Sequence, residues 1–110
     1  MVEEGVIMPR SYGEKLLRDL EAAEPDNLGQ RLGRVCVQAN IPMAYVAAAL
    51  NTTRLTISHW FRGRAIRTSK HPTVKAFIRL IETDLNSGRL PAANVADAKL
   101  YISEMVAIQL

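Results

Sequence analysis

The stretch ALNTTRLTISHWFRGR, Ala49 to Arg64, decides how the whole chain is read. It begins apolar, passes through a polar turn, and continues with Thr, Ser, His and Trp among Arg54, Arg62 and Arg64. A catalytic loop, an ordinary amphipathic helix and a surface for a negatively charged partner all compete for it. Just upstream, PMAYVAAAL predicts a short helix with Pro42 near its first position and Val46, Ala47 and Leu50 facing inward. NTT predicts a tight turn, because Asn51 tolerates positive φ and Thr53 can cap the next helix. RLTISHWFRG predicts that second helix, stopped by Gly63, with Ile57 and Trp60 on its buried side. Arg54, Leu55, Ser58 and His59 fall on the opposite side. Two short helices joined by three turn residues have helix-turn-helix spacing. Such a pair needs a small residue where the helices cross, and Ala47 supplies it.

The rest of the chain reads as further helices. SYGEKLLRDLEAAEPDN opens with a capping box, Ser11 and Glu14, and carries a stripe of Tyr12, Leu16, Leu17 and Leu20 up to the stop at Pro25. Next, DNLGQRLGRVCVQAN is capped by Asp26 or Asn27, has Leu28, Leu32, Val35 and Cys36 at helical spacing, and ends at a left-handed Asn40. RAIRTSKH reads as a basic loop, with His71 as a cap for a helix starting at Pro72. That helix carries Val74, Phe77, Ile78, Ile81 and Leu85 on one face and stops at Gly88. Asn94 caps a last helix, VADAKLYISEMVAIQL. The expectation is an all-α fold of five to six helices in one domain spanning 1–110. Within it, 27–86 forms the helix-turn-helix core, 9–24 an N-terminal flanking helix and 94–110 a C-terminal helix.

Composition narrows the function. Aromatic residues make up only 5%, so the core must be built mainly from Leu, Ile, Val, Ala and Met. Cys36 is alone, which excludes an internal disulfide framework and a cysteine zinc cluster and suits a reducing compartment. No segment reads as membrane-spanning, and the start of the chain, with Glu3 and Glu4, does not read as a signal peptide. The expected location is therefore the cytoplasm. Charge is unevenly distributed. Residues 1–40 carry five Lys/Arg against seven Asp/Glu, whereas 41–75 carry six Lys/Arg and no acid. Between Asp26 and Glu82 there is no carboxylate side chain at all, and nine Lys/Arg fall there. Solvated faces usually mix both signs, so this interval points to a polyanion.

IPMAYVAAALNTTRLTISHWFRGR resembles the helix-turn-helix of the lambda repressor and Cro-like (XRE-type) DNA-binding domains. The resemblance rests on Ile41, Val46–Ala47, Leu50–Asn51, Thr52–Thr53, Thr56–Ile57–Ser58, Trp60 and Gly63, and covers 23 residues. It implies a repressor-like domain whose second helix, 54–62, enters the major groove. Arg54 would then reach a guanine edge or a phosphate, while Thr56, Ser58 and His59 would contact bases or backbone. Thr52 and Thr53 would bind phosphate through hydroxyl or backbone N–H, and Arg62, Arg64, Arg67 and Lys70 would neutralise flanking phosphates. The sequence departs from the family at three places. Met43 stands where Gln is frequent, Phe61 where Glu is frequent, and Leu55 at a groove-facing position that is often polar. Leu55 either reads a thymine methyl or belongs to a protein contact.

The implied function is a sequence-specific transcription regulator on double-stranded DNA, acting as a repressor, in the style of small bacteriophage-encoded proteins. The last helix, with Leu100, Tyr101, Ile102, Met105, Val106, Ile108 and Leu110, is apolar over a wide arc. It must bury itself on its own domain or on a second copy, and a homodimer is expected. Two rivals remain. One is an interaction protein that binds a host protein such as RNA polymerase, for which Leu55, Phe61 and Met43 would form the contact side. The other is a DNA-packaging accessory resembling a terminase small subunit. An enzyme is not expected: Ser58 and His59 diverge on a helix, and no nearby carboxylate orients the imidazole. Neither a metal nor another cofactor is expected, since His59 and His71 have no Cys or carboxylate beside them.

Overall fold

Polar side chains and asparagines at helix ends, rather than long helix-forming runs, divide this chain. The computed structural model describes residues 12–21 and 26–105. They form α1 (Glu14–Glu21), α2 (Leu28–Gln38), α3 (Met43–Ala49), α4 (Arg54–Phe61), α5 (His71–Ser87) and α6 (Val95–Met105), with a 3-10 turn at Thr68–Lys70. The fold is all-α. Of the two candidate caps for α2, Asn27 is the one used: its Oδ1 accepts from the Gln30 amide at 2.9 Å. Asn94 caps α6 by accepting from the Asp97 amide at 2.8 Å. Asn40 and Asn51 adopt φ of 59° and 55°, the left-handed stops expected of them, and Gly63 and Gly88 also have positive φ. The capping box at Ser11, the remainder of the 9–24 flanking helix and the residues after Met105 lie outside the described residues.

One continuous core runs from Tyr12 through Ile102. α2 lies at its centre and packs against α1, α4 and α5. The terminal helices are thus part of the same core as residues 27–86 and do not flank it from outside. α1 contributes Tyr12 from its lead-in, Leu16 and Leu20, and the Tyr12 hydroxyl donates to the Ile41 carbonyl. The 89–94 connection is stitched to the end of α2: the Ala92 amide donates to Ala39 O at 2.9 Å, and Asn40 Nδ2 donates to Ala92 O at 2.7 Å. α6 then lies on α3 and buries Ala98, Tyr101 and Ile102 on its own domain, which leaves Val95 and Leu100 outside at 56% exposure each.

One expectation is corrected, and one carboxylate is buried with a partner that no local pattern signals. His71 does not cap α5 but is its first residue, with Pro72 second and no side-chain cap. Its Nε2 instead meets Ile66 O at 2.8 Å, so the basic loop closes on itself while Ile66 inserts into the core. Asp84, at a polar position of α5, is buried and accepts a 2.6 Å hydrogen bond from the Tyr101 hydroxyl. A buried carboxylate without such a partner would be costly.

Burial raises the Tyr12 phenol and the Cys36 thiol; burial, then the hydrogen bond to Asp84, raises Tyr101. All three then keep protons that the unfolded chain releases once the pH reaches about 9 to 10. Stability should therefore be fully present below that range and fall above it. The expected decline is on the order of 1.4 kcal/mol per pH unit for each group involved. Urea unfolding at a series of alkaline pH values checks this, and Tyr101→Phe should make the decline shallower.

Candidate nucleic-acid interface

The α3–α4 pair is held by a short turn, Leu50 to Thr53. The Asn51 amide donates to Ala48 O at 3.3 Å and the Thr52 amide to Ala47 O at 3.0 Å, while Asn51 takes the left-handed step. Thr53 caps α4: its Oγ1 accepts from the Thr56 amide at 3.1 Å and donates to Thr56 Oγ1 at 3.0 Å. The Thr53 hydroxyl and the Thr52 amide are therefore engaged within the turn. Of the groups expected to meet phosphate here, the Thr52 hydroxyl and the first amides of α4 are the better placed. Ala47 is buried, as a close α3–α4 crossing requires.

Sequence reading missed the contact that fixes α4 on the body of the protein. Gly29 of α2 lies directly against the backbone of Trp60: a Cβ at Gly29 would stand 2.3 Å from Trp60 O and 2.9 Å from Trp60 C. One turn on, Gly33 makes room for Leu20 and the Phe61 ring. The signal was present in LGQRLG, where two glycines four residues apart share one helix face, a mark of close backbone approach. Asn27 adds a second clasp, donating from Nδ2 to Gly63 O at 3.1 Å just past the end of α4.

Anchored in this way, α4 buries Ile57, Trp60 and Phe61. Phe61 is fully enclosed and packs on Tyr12, with ring centroids 6.0 Å apart. Met43, the first residue of α3, is buried as well. Neither residue lines the outward side, which corrects the expectation that both would face a partner there. The reason is helical spacing: 57, 60 and 61 share one face of α4, and 43, 46 and 47 share one face of α3.

The outward side of α4 carries Leu55, 66% exposed, with exposed Arg62 and half-buried Ser58 and His59, while exposed Arg54 and half-buried Thr56 lie on its two flanks. Arg64 and Arg67 are exposed on the following loop, and Lys70 is half-buried at the start of α5. Lys70 lines a cleft of about 220 Å³ with Leu50, Asn51, Trp60, Ser69, Thr73 and Val74, between the α3–α4 turn and α5. The helix is roughly 12 Å long at 1.5 Å per residue.

The surface is not free of acid in space, although its interval is free of acid in sequence. Asp19 of α1 reaches Arg62, with Oδ2 4.0 Å from Nη1, and also lies 3.8 Å from Lys15 Nζ. Arg62 Nε donates to Ser58 Oγ at 3.4 Å. Arg54 is close enough to Tyr12 for its charge to act on the phenol, opposing the upward push of burial. α1 therefore borders the outward face of α4. Among the described residues, no three His, Cys, Asp or Glu side chains come together as a metal-binding group, and no helix is long and apolar enough to cross a membrane.

Comparison of the chain with family models, curated proteins and solved structures gives no match. The site is a short, firmly seated helix that offers guanidinium, imidazole and hydroxyl groups beside a basic loop.

Proposed function

We propose that this protein binds double-stranded DNA by placing α4 in the major groove, and that it regulates transcription as a sequence-specific repressor. The observation that carries this reading is the outward face of α4. Its buried side is locked to α2 by Gly29 and Asn27, while Ser58, His59 and Arg62 lie on the other side and Arg54 stands exposed at the flank of the first turn. A major groove about 12 Å wide admits one α-helix, and hydrogen-bonding side chains on that helix can read base edges. Arg64, Arg67 and Lys70 continue the positive surface and suit phosphates, which give affinity without sequence information. A homodimer, as expected of the last helix, would place two α4 helices on a pseudo-palindrome.

A protein partner at the same face keeps one observation in its favour, the exposed Leu55. Met43 and Phe61 lie in the core, so neither adds to an apolar surface around it.

Fluorescence anisotropy on a labelled pool of random duplexes, titrated with salt, tests the proposal. Four phosphate contacts from Arg62, Arg64, Arg67 and Lys70 correspond to a slope of log K on log salt of about −3.6. Affinity should then fall roughly a hundredfold between about 50 and 200 mM salt. Absence of binding even at the lowest salt would overturn the DNA reading.

The same assay checks the role of α1. Asp19 stands where a phosphate would otherwise meet Arg62, so Asp19→Asn should raise affinity. Exposed ion pairs are weak, and the gain should lie between about one-and-a-half-fold and fivefold. A loss of affinity would show that Asp19 positions Arg62 for its contact instead of competing for it.

A further inference from the structure

We infer that Leu55 is a specificity-determining residue of α4 that reads the C5-methyl of a thymine. The inference rests on the DNA-binding reading above. A single exposed leucine on an ordinary surface needs no explanation. This one is distinguished by its place. Leu55, Val95 and Leu100 are the exposed large apolar side chains among the described residues, and only Leu55 lies within the interval that lacks acids. It sits in the first turn of α4, the end of such a helix that contacts base edges. The other large apolar side chains of α4, Ile57, Trp60 and Phe61, are all buried, so the core does not account for its apolarity.

Its neighbours decide between a protein and DNA as the occupant. The helical neighbours of Leu55 are Ser58 and His59, three and four residues on, with Arg62 a further turn along the same face. An apolar protein contact needs several adjoining apolar groups, and among the described residues Leu55 is the exposed large apolar side chain of α4. In the major groove the edges of the bases are hydrogen-bonding groups, except for the thymine methyl. A lone apolar side chain among donors and acceptors matches a lone methyl among donors and acceptors. The surrounding charge suits the phosphates on either side of the groove.

The test removes the methyl and leaves the protein intact. The full-length protein first selects duplexes from a random pool. In the best-bound duplex, each thymine is then replaced singly by deoxyuridine, which deletes the methyl and keeps the hydrogen-bonding edge. At one position in each half-site the wild-type protein should lose about fourfold in affinity, the value of one buried methyl at ~0.8 kcal/mol. Leu55→Ala, at an exposed position that should leave folding unchanged, should bind the thymine and deoxyuridine duplexes equally. Leu55→Gln should shift the preferred base at that position. If the wild type binds the selected duplex but tolerates deoxyuridine everywhere, Leu55 does not read a methyl and the inference is overturned while the DNA reading stands. If duplexes are bound but none is enriched, base reading by α4 fails and the inference with it; if no duplex is bound even at low salt, the DNA reading itself fails. Leu55-dependent capture of a protein, with no thymine dependence, would also overturn it.

Discussion

Replacing Gly29 with alanine is expected to destabilise the protein by a net of about 2 kcal/mol, and to do so without touching the outward face of α4. The new Cβ would stand 2.3 Å from Trp60 O, 2.9 Å from Trp60 C and 3.1 Å from Trp60 Cα. All three are backbone atoms, so no side chain can rotate away, and α2 and α4 would have to separate. Overpacking of this kind typically costs 1–3 kcal/mol and occasionally more, against a gain of up to ~1 kcal/mol from the better helix propensity of alanine. Gly33→Ala provides the internal control. Its nearest atom would be Leu20 Cδ2 at 2.9 Å, followed by the Phe61 ring at 3.1 Å, and the leucine can adjust. Urea unfolding should therefore place Gly29→Ala well below Gly33→Ala. Equal midpoints for the two variants would mean that α2 and α4 do not meet through Gly29.

Phe61→Ala should cost more, on the order of 3–5 kcal/mol. Phe61 is fully buried between Tyr12 and the Gly33 stretch of α2, and its removal leaves a cavity where α1, α2 and α4 meet. Small domains are stable by only about 5–15 kcal/mol, so the variant should unfold at a much lower urea midpoint than the wild type. Phe61→Leu, which keeps most of the volume, should lose much less. If Phe61→Ala instead left the unfolding midpoint unchanged and abolished partner binding, Phe61 would belong to the surface. That is the position a partner-binding reading of the sequence assigns to it.

These two residues also mark where the sequence is legible and where it is not. The caps and stops were open to reading because each acts within a few residues. Thr53 reaches the Thr56 amide, Asn94 reaches the Asp97 amide, and the left-handed Asn40 and Asn51 are set by side chains that accept that backbone. The inward faces of α2, α3 and α5 were legible from apolar spacing in the same way. The features that escaped reading depend on distant partners. Asp84 looks like a solvated position of α5 until Tyr101 arrives from α6. Asp19 reaches Arg62 across forty-three residues of chain, so an interval without acids became a surface with one. Phe61 was assigned by likeness to a family position that is often polar. The helical phase relating it to Ile57 was the better guide. Gly29 could have been found, because its partner Gly33 one turn later forms a stripe that only a closely packed helix needs.

For the candidate site, the sequence brought Arg54, Leu55, Thr56, Ser58 and His59 onto one short helix, and all five are described on α4 with exposed or half-buried side chains. It did not reveal that Thr53 and Thr56 share their hydroxyls in the cap, or that α1 borders the face. Both matter for any partner, because they determine which donors remain available and which charge must be displaced.

Whether α4 reads base edges is tested most directly by selection from a random duplex library. The full-length protein is incubated with the library at moderate salt, bound duplexes are amplified, and the enriched pool is sequenced after each round. Base reading by α4 predicts two related half-sites, about 10 base pairs apart from centre to centre, with enrichment that Arg54→Ala weakens at one base pair of each half. A pool that stays random through successive rounds, even where salt-dependent binding is strong, would contradict it.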